Sequence, residues 1–417
     1  MGATKQKQSA FRRINSWLHL WLGLISGAIM FIVCLMAAVW VFQKEITDLI
    51  APKKAAKYIA SEQHALVLPS RIKAIGDSMF PGGFVHEISY QRNAPIAVEV
   101  KFRKPGEAPE KDSITIGLIH PYSGEFLGPS IDENLKLRSG VDNFFGWVLN
   151  GHRFLWLPYE IGRPIVNYAT LIFVILLITG LIWWYPKKWN KSTRDKSFKI
   201  KWKANWKRVN IDLHNVLGFY AFLILFLLAI TGIFYGLEWF NRALFWSTTG
   251  GKTLVEYKEP TSDTTAPRST GMLWNKMDNN FREVITKQPN SLSVHIHLPE
   301  PDQPTDIIFA TTEMHEEAYY EDQYYEYDQY TGERILTGNN VDDNLWSAAG
   351  SGEKFRRLNY DIHTGTVLGL PTKILAFSAA LIGASLPVTG FIIWYNRKWG
   401  KKKKSKMGSG ALKIQND

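Results

Sequence analysis

The chain has 417 residues, 46% of them hydrophobic and 21% charged, with a formal net charge of +11 and one cysteine. That length exceeds one ordinary soluble domain. The lone Cys34 excludes an intrachain disulfide, a Cys-x-x-Cys-His haem attachment, a cysteine zinc site and a cysteine-ligated iron–sulfur cluster.

The N-terminus, 1–17, is basic through Lys5, Lys7, Arg12 and Arg13. Leu18–Phe42 follows as the first apolar segment. About 20 such residues cross a hydrocarbon core about 30 Å thick. The segment exceeds the roughly 7–15 residues of a signal-peptide core and lacks a small-x-small cleavage site, so it reads as a retained helix. Region 43–164 predicts a helix at Pro69–Phe80, strands at Val85–Tyr90 and Ile96–Phe102, and a hairpin over LIHPYSGEFLG (118–128). A second spanning segment occupies 165–186. The loop 187–212 is strongly basic, with ten Lys/Arg against Asp195 within 187–209. A third spanning segment covers 213–237. Region 238–373 predicts a helix at Met272–Lys287, strands at Ser293–Leu298 and Asp306–Thr311, and the run YYEYDQYTGERILTG (324–338). The fourth spanning segment is 374–396, and the tail 397–417 carries eight Lys/Arg and Asp417. The central portions of all four segments lack Asp, Glu, Lys and Arg. Basic residues concentrate at the termini and middle loop, so these face the cytoplasm and the two long regions face outward. Membrane topology accounts for the basic runs without a nucleic-acid partner.

The order helix, outer region, histidine, helix occurs twice, over about 11–189 and about 207–399. NSWLHLWLGLI (15–25) and NIDLHNVLGFY (210–220) share Asn, Leu, His, Leu and Gly at equal spacing. TGLIWWYPKKW (179–189) and TGFIIWYNRKW (389–399) share Thr, Gly, Ile, Trp, Tyr, Lys and Trp. His152 precedes Gly180, and His363 precedes Gly390, by nearly the same interval. Both outer regions carry a Tyr-x-Gly-Glu turn, at 122–125 and 330–333, where glycine supplies the positive φ of a tight hairpin. The expected architecture is an α-helical membrane protein with four transmembrane helices and two outward α+β modules, duplicated in parallel halves.

The His-x-x-x-Gly helix starts, the Tyr-x-Gly-Glu turns and the Thr-Gly-x-Ile-x-Trp-Tyr helix ends resemble the PepSY-associated transmembrane family over nearly the whole chain. That family includes iron-uptake factors and ferric-siderophore reductases of the bacterial inner membrane. The resemblance implies PepSY-like periplasmic modules and a ferric chelate or siderophore as substrate. Some relatives carry a fused flavin reductase module beyond the last helix. This sequence ends soon after Lys401–Lys404 and is expected to lack one; no dinucleotide fingerprint or flavin motif is visible, so the cytoplasmic electron donor, with a flavin reductase as one candidate, stays unassigned.

Ionisable residues beside membrane helices point to function. His19 and His214 fall on the cytoplasmic side, His152 and His363 on the outer side. Face-to-face halves would bring each couple together as axial ligands of a b-type haem, two haems in all; pairing of neighbours within one half, and interfacial histidines bonded to headgroups or backbone, are the alternatives. Gly23 and Gly218, four residues after their histidines, are expected to leave room for the macrocycle, with Gly27 extending the groove; close helix packing is the alternative. Arg153, and less strongly Arg12, Arg13 and Arg208, are candidates for the haem propionates. The span from His19 to Phe42 is about 35 Å at 1.5 Å per residue, long for one electron step, unless the apolar stretch FFGWVLNGHRFLWL (144–157) dips inward. His295 and His297 share a strand face, read as surface rather than metal site. His64, His86, His120 and His315 show no partner in sequence. The acidic, aromatic run 313–330 reads as a solvated hairpin, with stacking on an aryl siderophore as the sharper possibility. The expected activity is therefore ferric-chelate reduction by haem-borne electrons, needing no general acid, base or nucleophile. An envelope regulator of a peptidase and an iron-chelate permease are the alternatives.

Overall fold

The computed structural model describes residues 9–52, 65–92, 97–104, 115–130, 134–254, 258–267, 270–336 and 345–400. Lys5, Lys7, His64 and Lys401–Lys404 lie outside the described residues. The elements of the first part are α1 (Ala10–Trp40), α2 (Gln43–Ile50), α3 (Pro69–Met79), β1 (Phe84–Gln91), β2 (Val98–Arg103), β3 (Thr115–Ile119), β4 (Phe126–Pro129), α4 (Leu135–Phe154) and α5 (Tyr159–Trp184). Then come α6 (Lys191–Phe198), α7 (Trp206–Asp212), a π-helical turn (Leu213–Leu217), α8 (Gly218–Gly236), α9 (Glu238–Thr248) and α10 (Thr270–Lys287). The chain finishes with β5 (Ser293–His297), β6 (Ile307–Glu313), β7 (Gln323–Asp328), α11 (Ser351–Thr364) and α12 (Leu370–Trp399).

Four helices are long and apolar enough to cross a membrane: α1, α5, the continuous α7–α8 stretch, and α12. Their starts follow local chemistry. The Ser9 hydroxyl accepts the Arg12 N–H, and the Asn205 side chain accepts that of Arg208. Helix α1 packs on α5 and α12, and α8 packs on the same two, closing a four-helix ring. Small residues permit close approach. A Cβ on Gly383 would lie 3.0 Å from both Cys34 Sγ and Leu225 Cδ2, and one on Gly27 would lie 3.3 Å from Pro387. The basic loop is folded onto the bundle: Trp184 stacks on Phe219 at 3.8 Å and donates Nε1–H to the Ser197 carbonyl.

The strands of the two outer regions form one seven-stranded antiparallel sheet, ordered β4-β3-β2-β1-β5-β6-β7. The seam is β1 against β5, from Glu87 opposite His297 to Gln91 opposite Ser293. The two outward modules expected from the sequence thus share a sheet and a core. That core joins Ile72, Ile88, Tyr90 and Val100 to Met277, Phe281, Val294 and Ile308. Alternating burial along β6 marks one apolar face. Gly124 and Gly332 take φ of +77° and +67°, as the Tyr-x-Gly-Glu turns require. His120 Nδ1 accepts the N–H groups of Tyr122 and Ser123 and so caps the first turn.

Two findings position the site. Residues 144–154 of the apolar stretch belong to α4, a 20-residue helix that carries His152. The run 313–330 is largely paired rather than solvated. Tyr325 and Tyr327 enter the core, Asp322 accepts the Met314 N–H, and Asp361 accepts that of Tyr319. Burial, chiefly, lifts the Asp322 carboxyl to about 7.

Candidate functional site

The four histidines meet in two couples. His19 on α1 and His214 on the π turn place their ring centroids 6.3 Å apart, at the end of the bundle bearing the α6–α7 loop. His152 on α4 and His363 on α11 stand 6.0 Å apart, at the sheet end. The π turn, a single wider turn inside a continuous helix, is a deviation often found at functional positions.

One docking pattern recurs three times. An Asn one turn before the histidine donates Nδ2–H to a threonine carbonyl on a neighbouring helix: Asn15 to Thr179 at 3.0 Å, Asn210 to Thr389 at 3.0 Å and Asn359 to Thr231 at 3.2 Å. The histidine Nδ1 then meets the same threonine's hydroxyl: His19 at 3.0 Å, His214 at 2.9 Å and His363 at 3.1 Å. The glycine after each threonine admits the ring. A Cβ there would lie 3.2 Å from His19 Cε1 at Gly180, 3.3 Å from His214 Cε1 at Gly390 and 3.0 Å from His363 Cε1 at Gly232. His152 departs from the pattern. Its Nδ1 donates to the Val33 carbonyl at 2.9 Å, as His363 donates to that of Leu228 at 3.0 Å, but it has no threonine partner.

The bonding partners fix the tautomer. Each threonine hydroxyl donates to a carbonyl of its own helix, so its oxygen is left to accept the imidazole proton. Carbonyl oxygens only accept. All four Nδ1 atoms therefore carry hydrogen, and each neutral ring presents an Nε2 lone pair, the form in which histidine binds metals. Among the described residues no hydrogen bond reaches those Nε2 atoms. The spacing fits as well. A metal–nitrogen bond of about 2 Å on each side, with about 1 Å from nitrogen to ring centre, sets ligating rings about 6 Å apart.

Other expectations are redistributed. Gly23 and Gly218 face Leu176 and Leu386 of neighbouring helices, at 3.7 and 3.4 Å, and so serve helix packing. Arg153 is exposed beside His152, its guanidinium 4.9 Å over the Phe154 ring. Arg12 donates to the Tyr185 carbonyl, and Arg13 is exposed. Arg208 is no free cation: it is paired at 2.6 Å with Asp212, a carboxylate 1% exposed. His295 lies at the sheet seam with Nδ1 on Ser89 and Nε2 on Ser293, each at 2.9 Å, so neither nitrogen is available to a metal. Burial opposes its charge, but hydrogen bonds and charges from Glu313 and Glu87 prevail and raise it to about 9. His297 Nδ1 lies 3.6 Å from Glu87, His86 Nδ1 lies 3.8 Å from Glu300, and His315 pairs with Glu321 at 2.9 Å. Among the described residues no group of three or more His, Cys, Asp or Glu is arranged to hold a metal ion.

The supporting residues were missed in the sequence, although traces were present. Asn15 and Asn210 recur in the repeated helix starts, and Thr-Gly recurs at 179–180 and 389–390. Thr231, Gly232 and Asn359 have no repeated counterpart: Val33 and Leu228 are equivalent acceptors, so Met36, Ala37 and Val148 occupy the matching places.

Four membrane-length helices with imidazoles coupled at both ends define a multi-pass membrane protein organised around two histidine pairs. The chain belongs to the PepSY-associated TM region family, which it matches over residues 16–397. No curated protein matches it.

Proposed function

We propose that this chain is a two-haem electron conduit of the bacterial inner membrane, with both termini cytoplasmic, that reduces ferric chelates at the periplasmic face. On this reading the halves are duplicates, each contributing a PepSY-like module to the shared sheet. The observation that carries the proposal is the orientation of the imidazoles: four Nδ1–H groups spent on helix acceptors, four Nε2 lone pairs gathered in two couples about 6 Å apart at the centroids.

His19 and His214 would hold one b-type haem and His152 and His363 the other, without covalent attachment. Bound haem supplies a one-electron carrier. The chain's own work is to fix ligand orientation and basicity through the Nδ1–H bonds and to keep the path dry with apolar helix faces. The level of the sheet-side couple supports transfer. His152 bonds at Val33, fourteen residues beyond His19 on α1, and His363 bonds at Leu228, fourteen beyond His214. At 1.5 Å per residue the couples are about 21 Å apart along the bundle, well under the span of the whole helix. Helices α4 and α11 achieve this by carrying their histidines back between the spanning helices. Of the proposed propionate partners, Arg153 remains beside the sheet-side couple.

The substrate class rests on the family resemblance. Iron(III) delivered as an oxygen chelate is held less tightly after reduction, which frees it for uptake. Electrons would enter at the loop-side couple from a cytoplasmic donor. The permease alternative gains no support: Ser26, Asn167, Thr170 and Ser385 spend their polar groups on helix carbonyls. The regulator alternative leaves the couples unexplained.

The test is a visible spectrum of the purified full chain from haem-supplied cells, with haem quantified per chain. Two haems whose bands sharpen with dithionite, one lost in His19→Ala and in His214→Ala, the other in His152→Ala and in His363→Ala, are expected. A colourless protein overturns the reading.

A further inference from the structure

The two members of the sheet-side couple are held very differently. His363 has two acceptors at Nδ1, the Leu228 carbonyl and the Thr231 hydroxyl, and Gly232 against its ring edge. Its helix, α11, is fixed on both sides of the ring. Asn359 bonds to the Thr231 carbonyl, buried Asp361 accepts from the Tyr319 N–H and the Thr366 hydroxyl, and Arg357 donates to the Asp322 carbonyl. The chain then turns through Gly365 at φ +81°, where glycine adopts the left-handed region without strain.

Among the described residues, His152 Nδ1 has the Val33 carbonyl alone. Val148 stands where the other three histidines have asparagine, and Met36 and Ala37 stand where His363 has threonine and glycine. Helix α4 is tied down at its far end, where Arg138 donates to the Ala51 carbonyl. It exposes Leu137, Phe144 and Trp147 on its outer face. Three residues after His152, at the end of α4, the chain turns through two consecutive left-handed residues that are not glycine, Leu155 and Trp156, both at φ +56°. Such backbone collects at active sites, ligand clamps and switch regions. The corner is closed by Trp156, which stacks on Trp147 at 4.7 Å and donates to its carbonyl at 2.8 Å.

From this asymmetry we infer that His152 is a releasable ligand, and that the sheet-side site opens a coordination position for a small uncharged donor molecule while the loop-side site stays closed. The inference rests on the two-haem reading above. Such an exchange would move no electrons: His152 would give up its Nε2 bond to the haem in favour of the incoming lone pair, while its imidazole keeps the Nδ1 proton on the Val33 carbonyl.

Carbon monoxide is the probe, added to dithionite-reduced full-length protein in detergent and followed by difference spectroscopy. In wild type, half of the haem is expected to shift. In His19→Ala/His214→Ala, which retains the sheet-side haem, all of the remainder shifts; in His152→Ala/His363→Ala, which retains the loop-side haem, none does. Rebuilding the cradle with Val148→Asn/Met36→Thr/Ala37→Gly is expected to weaken carbon monoxide binding at least tenfold. Leu155→Asn, a single change to a residue that tolerates the left-handed region, should weaken it several-fold and serves if the triple variant does not fold. Two haems of which neither shifts in wild type, or a shift confined to the loop-side haem, overturns the inference and leaves the conduit standing. Absence of haem overturns the conduit itself.

Discussion

Replacing Thr389 with valine tests whether the threonine cradle holds a ligand or merely packs a helix. Valine keeps the branched shape and loses one oxygen. That oxygen receives the His214 Nδ1–H at 2.9 Å, while its own hydrogen goes to the Ser385 carbonyl at 2.9 Å. A buried donor stripped of its partner costs about 1–3 kcal/mol. The Leu386 carbonyl also lies within the ring's reach and retains part of the bond, which puts the loss near the bottom of that range. About 1.4 kcal/mol is a factor of ten, the lower end of the roughly 10–100-fold effect of losing a metal ligand's outer partner. The assay is haem transfer from the purified protein to an excess of apo-globin, resolved into its two phases. Thr389→Val should speed the loop-side phase about tenfold and leave the sheet-side phase alone, and Thr389→Ser should restore it. Thr170→Val is the control, because that hydroxyl bonds only to the Val166 carbonyl and touches no histidine. Equal behaviour of Thr389→Val and Thr170→Val would refute the reasoning.

Three further outcomes are expected. Gly180→Leu should abolish the loop-side haem band, since even a Cβ stands 3.2 Å from His19 Cε1, whereas Gly180→Ala should retain the band with altered line shape. Arg208→Met should lower stability in a thermal melt by about 2–3 kcal/mol, under the 3–5 kcal/mol of a fully enclosed pair because the arginine is about one-third exposed and because Asp212, 1% exposed, keeps the Lys201 N–H as a partner. The His295 imidazolium is stabilised in the fold, with its value raised to about 9 from 6.5, so its contribution is complete below pH 6.5 and disappears as pH rises through 9. Melting of the wild type should fall across that window, and His295→Gln should flatten the dependence.

The histidines were legible because the chain writes them twice, at helix starts and before helix ends, where apolar context makes an imidazole conspicuous. Their supports were less legible because each is an ordinary helix residue that gains meaning only from its neighbour. Thr-Gly at 179–180 reads as interfacial sequence until α1 brings His19 against it. Arg208 reads as a weak propionate candidate until Asp212, one turn later, is seen to be buried beneath it. The π turn at Leu213–Leu217 has no compositional signal. The seam between β1 and β5 was invisible for a different reason: alternation within a strand announces which face is apolar but not which distant strand lies beside it.

The division of labour between the halves leads to a last prediction. Each imidazole is oriented within its own half: His19 on α5, His152 on α1, His214 on α12 and His363 on α8. Each couple takes one ring from each half, so its spacing depends on how the halves dock, through α1 on α12, α5 on α8 and the β1–β5 seam. On the two-haem reading, cradle substitutions should therefore disturb one haem and docking substitutions both. Gly383 is the sharpest docking position, because a Cβ there would already press at 3.0 Å on Cys34 of α1 and on Leu225 of α8. The interior is packed as tightly as a crystal, so valine forces the helices apart rather than filling space. Gly383→Val is expected to accelerate both phases of haem transfer together and to shift both sets of bands. Loss of one haem with the other untouched would mean that the couples are set locally, and that the halves do not fix the spacing between their rings.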